Sequence, residues 1–226
     1  MKKHSVIAMD GPAGSGKSST AKLLARRLGF TYLDTGAMYR SVTLAAIEKG
    51  IDLNDEAGVT DIAGTVKIEI VPGENEDRFF LDGKDATLLI RKPRIDAGVS
   101  LVSSYKGVRE KMVELQRKFA WKADIVAEGR DMGTVVFPDA DLKIFLVADL
   151  QTRAIRRCRQ LDGVGITTSI EEQTASLSSR DLFDSGRDYS PLKKADDAIE
   201  IDTTDMSLNG QVEKVYELVC EKLGIS

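Results

Sequence analysis

Short apolar runs alternate with segments whose apolar residues recur every three or four positions. Residues 5–10 form a continuous apolar run that predicts a strand, and residues 17–28 have the helical spacing. Residues 31–33 and about 36–49 repeat this order, and Gly29 stands where the first helix should end. The chain therefore begins with a predicted strand-helix-strand-helix unit.

The pattern changes after the second helix. Residues 66–71 alternate between apolar and polar, residues 72–75 break the run, and residues 78–81 resume it. The Asp-Gly pair at 82–83 is a turn signal. These features predict a small antiparallel sheet inserted into the α/β pattern.

The second half returns to strands and helices in alternation. Residues 106 to about 121 predict an amphipathic helix with Trp121 as a packing residue at its end, and further helices are expected from about 151 and over 207–223. Three more apolar runs predict strands at residues 124–127, 142–148 and 198–202. Five buried strands alternating with helices predict an α/β fold: an open five-stranded parallel sheet with helices on both faces. Its ligands should lie at the carboxyl ends of the strands.

Composition narrows the class of protein. The 226 residues, 42% hydrophobic and 30% charged, suit a single domain over residues 1–226, and no apolar run approaches the roughly 18 residues of a membrane span. The net charge of -4 predicts no nucleic-acid or membrane partner, so any anion must be bound locally. Cys158 and Cys220 lack metal-site spacing, and no signal-peptide segment is recognisable, so a cytoplasmic location is expected.

A phosphate-binding loop follows the first strand. Residues 11–18 match G-x-x-x-x-G-K-[ST] between a predicted strand and a predicted helix. Glycines let backbone N–H groups approach phosphate oxygens, Lys17 can bridge the β- and γ-phosphates, and Ser18 can bind Mg²⁺. The predicted ATP site consists of Gly11, Pro12, Ala13, Gly14, Ser15, Gly16, Lys17, Ser18 and the adjoining Ser19, with Mg²⁺ as cofactor.

Two other classes of phosphate-loop protein lack their signatures. A GTPase should carry Asn-Lys-x-Asp, but none of the three asparagines is followed by lysine. An ABC-type ATPase should carry Leu-Ser-Gly-Gly-Gln and an apolar strand that ends in Asp-Glu. The Asp-Glu pair at 55–56 instead follows Ile-Asp-Leu-Asn in a predicted loop.

Arginines near carboxylates mark the predicted ligand edge of the sheet. Arg130 and Asp131 follow Glu128-Gly129, directly after the predicted strand at 124–127. Arg180, Asp184 and Arg187 share one face if their segment is helical. Further arginines lie after the second strand and in the helix after strand four: Arg40, Arg153, Arg156, Arg157 and Arg159.

This inventory favours transfer of a phosphoryl group to a phosphate monoester. A hydroxyl acceptor usually needs a carboxylate to orient or deprotonate it, whereas a phosphate monoester has a second pKa of about 6 and is already largely ionised at neutral pH. Two polyanions instead need their repulsion cancelled, which guanidinium groups and Mg²⁺ can do.

Four segments resemble the bacterial cytidylate kinase (CMP kinase) family of nucleoside monophosphate kinases. They are MDGPAGSGKSS at 9–19, LDTGAMYR at 33–40, EGRDMGTVVFPDA at 128–140 and RDLFDSGRDYSPL at 180–192. The likeness extends from Val6 through the final helix, and the third segment is more specific than the phosphate loop. The resemblance implies a P-loop kinase fold that transfers the γ-phosphoryl group of ATP to CMP or dCMP, in a monomer.

The resemblance also implies residue roles. An acceptor lobe is expected over about residues 36–105, with the antiparallel insert, and a lid over about 150–170. The sequence has Thr35 where the family often has Ser, and Glu128 where it often has Asp, so the hydroxyl and the carboxylate are kept. Catalytic roles are expected for Lys17, Arg130, Asp131 and Arg187. Around CMP, the family positions are Thr35, Ser100, Arg109 and Asp131 at the cytosine, Arg180 and Asp184 at the sugar, and Arg40, Arg130 and Arg187 at the phosphate; Arg153 and Arg157 are expected at the ATP phosphates.

Cytosine chemistry is consistent with two of these residues. The N4 amino group requires a hydrogen-bond acceptor such as Asp131, and the N3 and O2 acceptors are complemented by a cation such as Arg109. Uracil would leave buried groups unpaired at about 1 to 3 kcal/mol each, so we expect a preference for CMP over UMP without absolute exclusion.

Two other functions stay open on the sequence. The chain could be a phosphotransferase of the same fold for another nucleoside monophosphate or a metabolite hydroxyl. It could also be an ATP-dependent binding module, although such a module has no obvious need for the arginine and aspartate set.

Overall fold

The structure is a computed structural model that describes residues 4–71, 73 and 77–225. It divides into two compact units, of which the first comprises Met1–Leu33 and Ala120–Ser226 and the second Asp34–Phe119. The strands are β1 (Val6–Asp10), β2 (Thr31–Asp34), β3 (Ile68–Val71), β4 (Arg78–Leu81), β5 (Lys84–Asp85), β6 (Ile125–Glu128), β7 (Leu142–Val147) and β8 (Ile199–Asp202). The α-helices are α1 (Lys17–Leu28), α2 (Thr35–Glu48), α3 (Glu56–Thr65), α4 (Pro93–Val102), α5 (Lys106–Ala120), α6 (Leu150–Asp162), α7 (Ile170–Ser185) and α8 (Leu208–Leu223).

The first unit is built on a five-stranded parallel sheet in the order β2-β6-β1-β7-β8. The α/β prediction is confirmed, and every residue of the central strands β1 and β6 is buried. Such strands carry apolar runs without alternation because helices cover both faces of the sheet. Ile7 and Ile144 of the sheet share one core with Leu24 of α1 and Val215 of α8.

Helix ends in this unit follow their local sequence. Gly29 ends α1 with φ 69°, a left-handed conformation in which its N–H bonds the Ala25 and Arg26 carbonyls. Ser207 begins α8 by accepting a hydrogen bond from the Gly210 N–H. Ser169 and Glu172 form a reciprocal capping box at the start of α7.

The second unit contains the antiparallel insert. β3 pairs with β4, and β4 pairs with β5 across the turn at Asp82 and Gly83, whose φ angles of 48° and 79° fit a tight hairpin. The predicted antiparallel sheet is thus confirmed. Of the predicted break at 72–75, Gly73 alone lies within the described residues, so the rest of that prediction falls outside them.

Two helices of the second unit have no counterpart in the sequence prediction. α3 begins after Asp55, whose carboxylate accepts the Gly58 N–H, and α4 begins with Pro93 in its first turn. Both start signals were present in the sequence, but each helix is only 10 residues long. That is shorter than the window of about 11 to 18 residues over which helical periodicity is recognised. The packing prediction for Trp121 is wrong: the residue lies just beyond the end of α5 and is 70% exposed.

Candidate active site

The phosphate loop connects β1 to α1 in left-handed backbone conformations. Gly11, Gly14 and Gly16 have φ angles of 144°, 79° and 95°. A Cβ atom on Gly11 would lie 2.1 Å from the Leu146 carbonyl oxygen. Glycine at this position is therefore required both by the backbone angle and by the close approach of β7.

Lys17 is folded into the loop in this structure. Its Nζ donates to the Pro12 carbonyl at 2.9 Å, and the residue is 4% exposed. Burial, and after it the positive charge of Arg130, lowers the pKa of Lys17 to about 7, although Glu128 and Asp10 oppose the shift. A bound phosphate would add negative charge here and favour the ammonium form.

Ser18 and Glu128 bring oxygen ligands together next to the loop. The Ser18 hydroxyl donates to Glu128 Oε1 at 2.6 Å, and the Tyr32 hydroxyl donates to the same oxygen at 3.2 Å. Mg²⁺ prefers hydroxyl and carboxylate oxygens and is commonly bound through one or two carboxylates plus substrate phosphates. The Ser18–Glu128 pair fits that requirement. Among the described residues, no cluster of three or more His, Cys, Asp or Glu could hold a metal by itself.

Asp10, the last residue of β1, organises the segment that carries Asp131. Its two carboxylate oxygens accept the Met132 and Gly133 N–H groups, each at 2.8 Å. Burial raises the pKa of Asp10 to about 6, and the two backbone hydrogen bonds only partly offset that rise. Asp131 itself is 1% exposed and precedes a π-helical turn at Met132–Val136.

Three arginines lie around Asp184 of α7. It accepts from Arg130 Nε at 2.8 Å and from Arg187 Nη2, and Arg180 Nε lies 4.0 Å away. Burial raises the pKa of Asp184, but the charges of Arg130 and Arg187 outweigh it and hold the pKa below its ordinary value. The predicted grouping of residues 180, 184 and 187 is seen in the structure, with Arg130 added to it.

The two arginines assigned to the ATP phosphates differ in their surroundings. Arg153 of α6 donates through Nη1 to the Ala13 carbonyl of the phosphate loop at 3.1 Å and to Asp181 at 2.7 Å. Arg157, one turn later, donates to Gln160 of its own helix at 2.7 Å. The structure thus brings Arg153 to the phosphate loop through a hydrogen bond.

Hydrogen bonds that link the phosphate loop and α1 to residues far along the chain were not expected from the sequence. Thr203, which follows β8 and is 0% exposed, donates to the Ser15 carbonyl at 2.9 Å and accepts from Arg156 Nη1 at 3.1 Å. Gln211 of α8 accepts from Thr20 of α1 at 2.9 Å. The position of Thr203 at a strand's carboxyl end is the signal that could have found it.

In the second unit, Arg40 and Arg109 are each oriented by neighbours. Arg40 Nη2 donates to Asp34 at 3.0 Å, and Asp34 also accepts the Ala37 N–H, so one carboxylate caps α2 and holds the guanidinium. Arg109, 4% exposed, donates to the Ser103 carbonyl at 3.0 Å and lies 5.3 Å from the centroid of the Tyr39 ring.

Comparison with known proteins identifies the family. The sequence model of the cytidylate kinase family matches residues 7–221. The chain belongs to this family. A cytidylate kinase of Lactobacillus gasseri is 45% identical over 216 residues, covering 96% of this chain and 94% of that protein. One from Bacillus cereus is 44% identical over 219 residues, covering 97% of each.

The fold also has a counterpart among solved structures. An uncharacterized protein from Eubacterium ventriosum superposes with a TM-score of 0.51 at 15% identity, covering 98% of this chain and 99% of that one. That likeness concerns the fold alone. Membership of the cytidylate kinase family makes the chain an enzyme, a nucleoside monophosphate kinase. Among the described residues, no helix is both long and apolar enough to cross a membrane.

The expected acceptor residues of this cytidylate kinase family member divide between the two units. The first contains Arg130, Asp131, Arg180, Asp184 and Arg187, and the second contains Thr35, Arg40, Ser100 and Arg109. Thr35 is buried in the first turn of α2, and Ser100 of α4 accepts the Ser103 hydroxyl at its carbonyl. Sequence reasoning did not single out several residues that hydrogen-bond to the expected site residues or to the elements around them: Asp10, Tyr32, Asp34, Asp181, Thr203 and Gln211. Glu128 was noted only as a family position.

Proposed function

We propose that the enzyme transfers the γ-phosphoryl group of ATP to CMP or dCMP and forms ADP with CDP or dCDP. The observation that supports this most strongly is the buried Arg130–Asp184–Arg187 cluster in the unit that also carries the complete phosphate loop. A binding module has no use for several desolvated arginines, whereas transfer between two polyanions needs them. The family membership supplies cytidylate as the acceptor.

On the donor side, the loop's backbone N–H groups and Lys17 bind the ATP phosphates. Release of Nζ from the Pro12 carbonyl lets the ammonium reach the β- and γ-phosphate oxygens. Ser18 and Glu128 are the residues we assign to Mg²⁺. Bound there with ATP, the ion would neutralise charge on the β- and γ-phosphates.

On the acceptor side, no general base is required. The CMP phosphate is ionised at neutral pH, so Arg130, Arg187 and Arg40 have to orient it and offset its charge. Asp184 keeps Arg130 and Arg187 in fixed rotamers, which removes part of the ordering cost from the reaction step. We place Arg180 and Asp184 at the sugar, and Thr35, Ser100, Arg109 and Asp131 at the cytosine.

We propose that residues of about 150–170 form a lid that excludes water from the transferring phosphoryl group, with about 36–105 as the acceptor lobe. Arg153 and Arg157 are the lid residues assigned to the ATP phosphates. Exclusion of water predicts little ADP formation without acceptor. An equal rate of ADP formation with and without CMP would rule out the closing lid.

The test is ADP production from ATP and Mg²⁺ with CMP, dCMP, UMP, AMP or GMP, and with no acceptor. We expect high turnover with CMP and dCMP, and a kcat/KM for UMP that is lower by roughly 5- to 150-fold. Asp131→Asn should lose activity toward CMP because its amide cannot act as the same charged acceptor. Equal slow turnover in every tube would contradict the proposal.

We also propose that the enzyme is a cytoplasmic monomer without nucleic-acid or membrane partners. The net charge of -4 offers no general attraction to nucleic acid or anionic lipid, and two cysteines without paired spacing are in keeping with a cytoplasmic protein. The monomer is proposed from the family resemblance. Light scattering with and without both nucleotides would test the oligomeric state, and a dimer mass would contradict the proposal.

A further inference from the structure

Asp181 of α7 has no role in the transfer described above, yet it is tied to the phosphate loop. Its Oδ2 accepts a hydrogen bond from Arg153 Nη1 at 2.7 Å. Its Oδ1 is buried and has no hydrogen-bond partner within the part of the chain that the structure describes. A buried carboxylate oxygen without a hydrogen-bond donor is costly, so the position of Asp181 calls for an explanation.

Arg153 is held by three acceptors from three parts of the first unit. Nε donates to the Ala148 carbonyl at 3.0 Å, and Nη1 donates to the Ala13 carbonyl at 3.1 Å as well as to Asp181. The side chain is only 8% exposed. Among the described residues, Nη2 donates to none of these three acceptors. Its N–H groups are therefore available to a ligand.

These contacts give Asp181 a specific physical task. Ala148 and Ala13 offer neutral carbonyls, whereas Asp181 offers the only charged acceptor among the three. Charge-assisted hydrogen bonds are roughly twice as strong as neutral ones and fix the plane of the guanidinium. By this criterion, Asp181 makes the strongest of the three contacts that hold the Arg153 guanidinium beside the phosphate loop.

We infer that Asp181 is a positioning residue for the donor nucleotide, because it holds Arg153 against the Ala13 carbonyl with Nη2 free to bind a phosphate oxygen. The cation is then oriented before ATP arrives, and less side-chain freedom is lost on binding. This inference rests on the proposed function in taking ATP as the ligand of the loop. It also gives α7 two tasks: Asp184 orders Arg130 and Arg187, and Asp181 orders Arg153.

Asp181→Asn separates positioning from simple charge effects, because the two predict opposite signs. Removing a negative charge near a polyanion should tighten ATP binding if only electrostatics matter. Loss of orientation should weaken it. We expect the Kd of a non-hydrolysable ATP analogue with Mg²⁺, measured by calorimetry, to rise by about tenfold.

Three variants complete the experiment. Glu171→Gln removes the same charge from an exposed position of the same helix and should change the Kd by less than about twofold. Arg153→Ala alone and combined with Asp181→Asn should give the same Kd, since Asp181 acts through Arg153. In steady-state assays, Asp181→Asn should raise the KM for ATP and leave the KM for CMP within about twofold, which general loss of structure would not do.

Tighter or unchanged analogue binding by Asp181→Asn overturns the inference, and so does additive loss in the double variant. If Asp181→Asn fails to fold by circular dichroism, Asp181→Glu replaces it. That variant keeps the charge but moves it, and an unchanged Kd overturns the inference as well. The analogue measurement needs no acceptor. If the wild-type enzyme binds the analogue but does not phosphorylate CMP, the proposed function fails while the role of Asp181 is still decided.

Discussion

At two positions of this enzyme, the residue type is explained by a close backbone contact and by burial. Gly11 shows the first of these, since its φ of 144° and the Leu146 carbonyl together exclude a side chain. Asp10 shows the second, because it holds two backbone N–H groups at 5% exposure. Gly11 begins the phosphate loop and Asp10 directly precedes it, so a substitution at either position is expected to disturb the candidate active site.

Gly11→Ala should be severely destabilising. The added Cβ would meet backbone of β7 at 2.1 Å, and main chain cannot move aside as a flexible side chain can. We expect a loss of more than about 3 kcal/mol in the free energy of unfolding, measured by urea titration. Gly29→Ala is the matched control: φ is also positive, at 69°, but no heavy atom lies within 4 Å. It should lose only about 1 to 2 kcal/mol, and equal losses in both variants would contradict the steric argument.

Asp10 should make stability fall as pH rises through the acid range. Its pKa is raised to about 6 by burial, from 3.8, so between these values the folded state binds more protons than the unfolded state. The contribution of Asp10 to the free energy of unfolding is therefore fully present below about pH 4. It falls by up to about 3 kcal/mol as the pH rises to about 6 and beyond.

The measurement compares urea unfolding of the wild type and Asp10→Asn at pH 4.5 and pH 7. Asn does not titrate. Raising the pH from 4.5 to 7 should therefore lower the unfolding free energy of the wild type relative to that of the variant. The variant also loses one of the two backbone acceptors, which lowers its stability by a similar amount at both pH values. A difference that does not change with pH would show that Asp10 ionises normally in the folded state.

At the scale of elements, β8, α6 and the phosphate loop meet at one hydroxyl. Thr203 donates to the Ser15 carbonyl and accepts from Arg156, and Arg156 Nη2 also donates to the Thr203 carbonyl at 2.5 Å. Burial lowers the pKa of Arg156, although Asp149 and Asp202 oppose the shift. The loop's shape thus depends on elements far from it in sequence.

Thr203→Val, which has nearly the same shape, should lose about 1 to 3 kcal/mol of stability because buried polar groups lose their partner. The KM for ATP should rise more than the KM for CMP, since Ser15 belongs to the phosphate loop. Thr203→Ser keeps the hydroxyl and should restore most of both quantities. Wild-type stability in the Val variant, read from thermal melts, would refute the role of this hydroxyl.

At the scale of the whole molecule, the two nucleotides should stabilise the fold differently when Mg²⁺ is removed. At a concentration of about 100 times its Kd, a ligand adds about 2.7 kcal/mol, which is a rise of roughly 5 to 10 °C in Tm for a chain of this size. EDTA should reduce the rise in Tm caused by ATP, because no cation is then available to Ser18 and Glu128. The rise in Tm caused by CMP should stay the same. Turnover should fall by more than about 100-fold. Full turnover in EDTA, in a protein freed of metal, would contradict the assignment of Mg²⁺.

Strong local patterns account for what was predictable in the fold. The five sheet strands, the helices that flank them and the hairpin at Asp82 and Gly83 all carry continuous apolar runs, 3.6-residue periodicity or a turn pair. α3 and α4 were missed because each spans only 10 residues, too few for their helical spacing to stand out. Trp121 was misplaced because helical phase, projected past the end of α5 at Ala120, no longer describes the chain.

The sequence by itself determined the class of fold, the phosphate loop and the family, since each is written in contiguous residues: a buried strand, a glycine-rich turn, a helix start and four family segments. Only the tertiary structure decided which distant polar groups meet. Asp184 with Arg130, Asp181 with Arg153 and Thr203 with Ser15 join residues separated by 54, 28 and 188 positions. No local pattern encodes such pairs, because they arise when the parallel strands and the helices packed on them bring distant parts of the chain together.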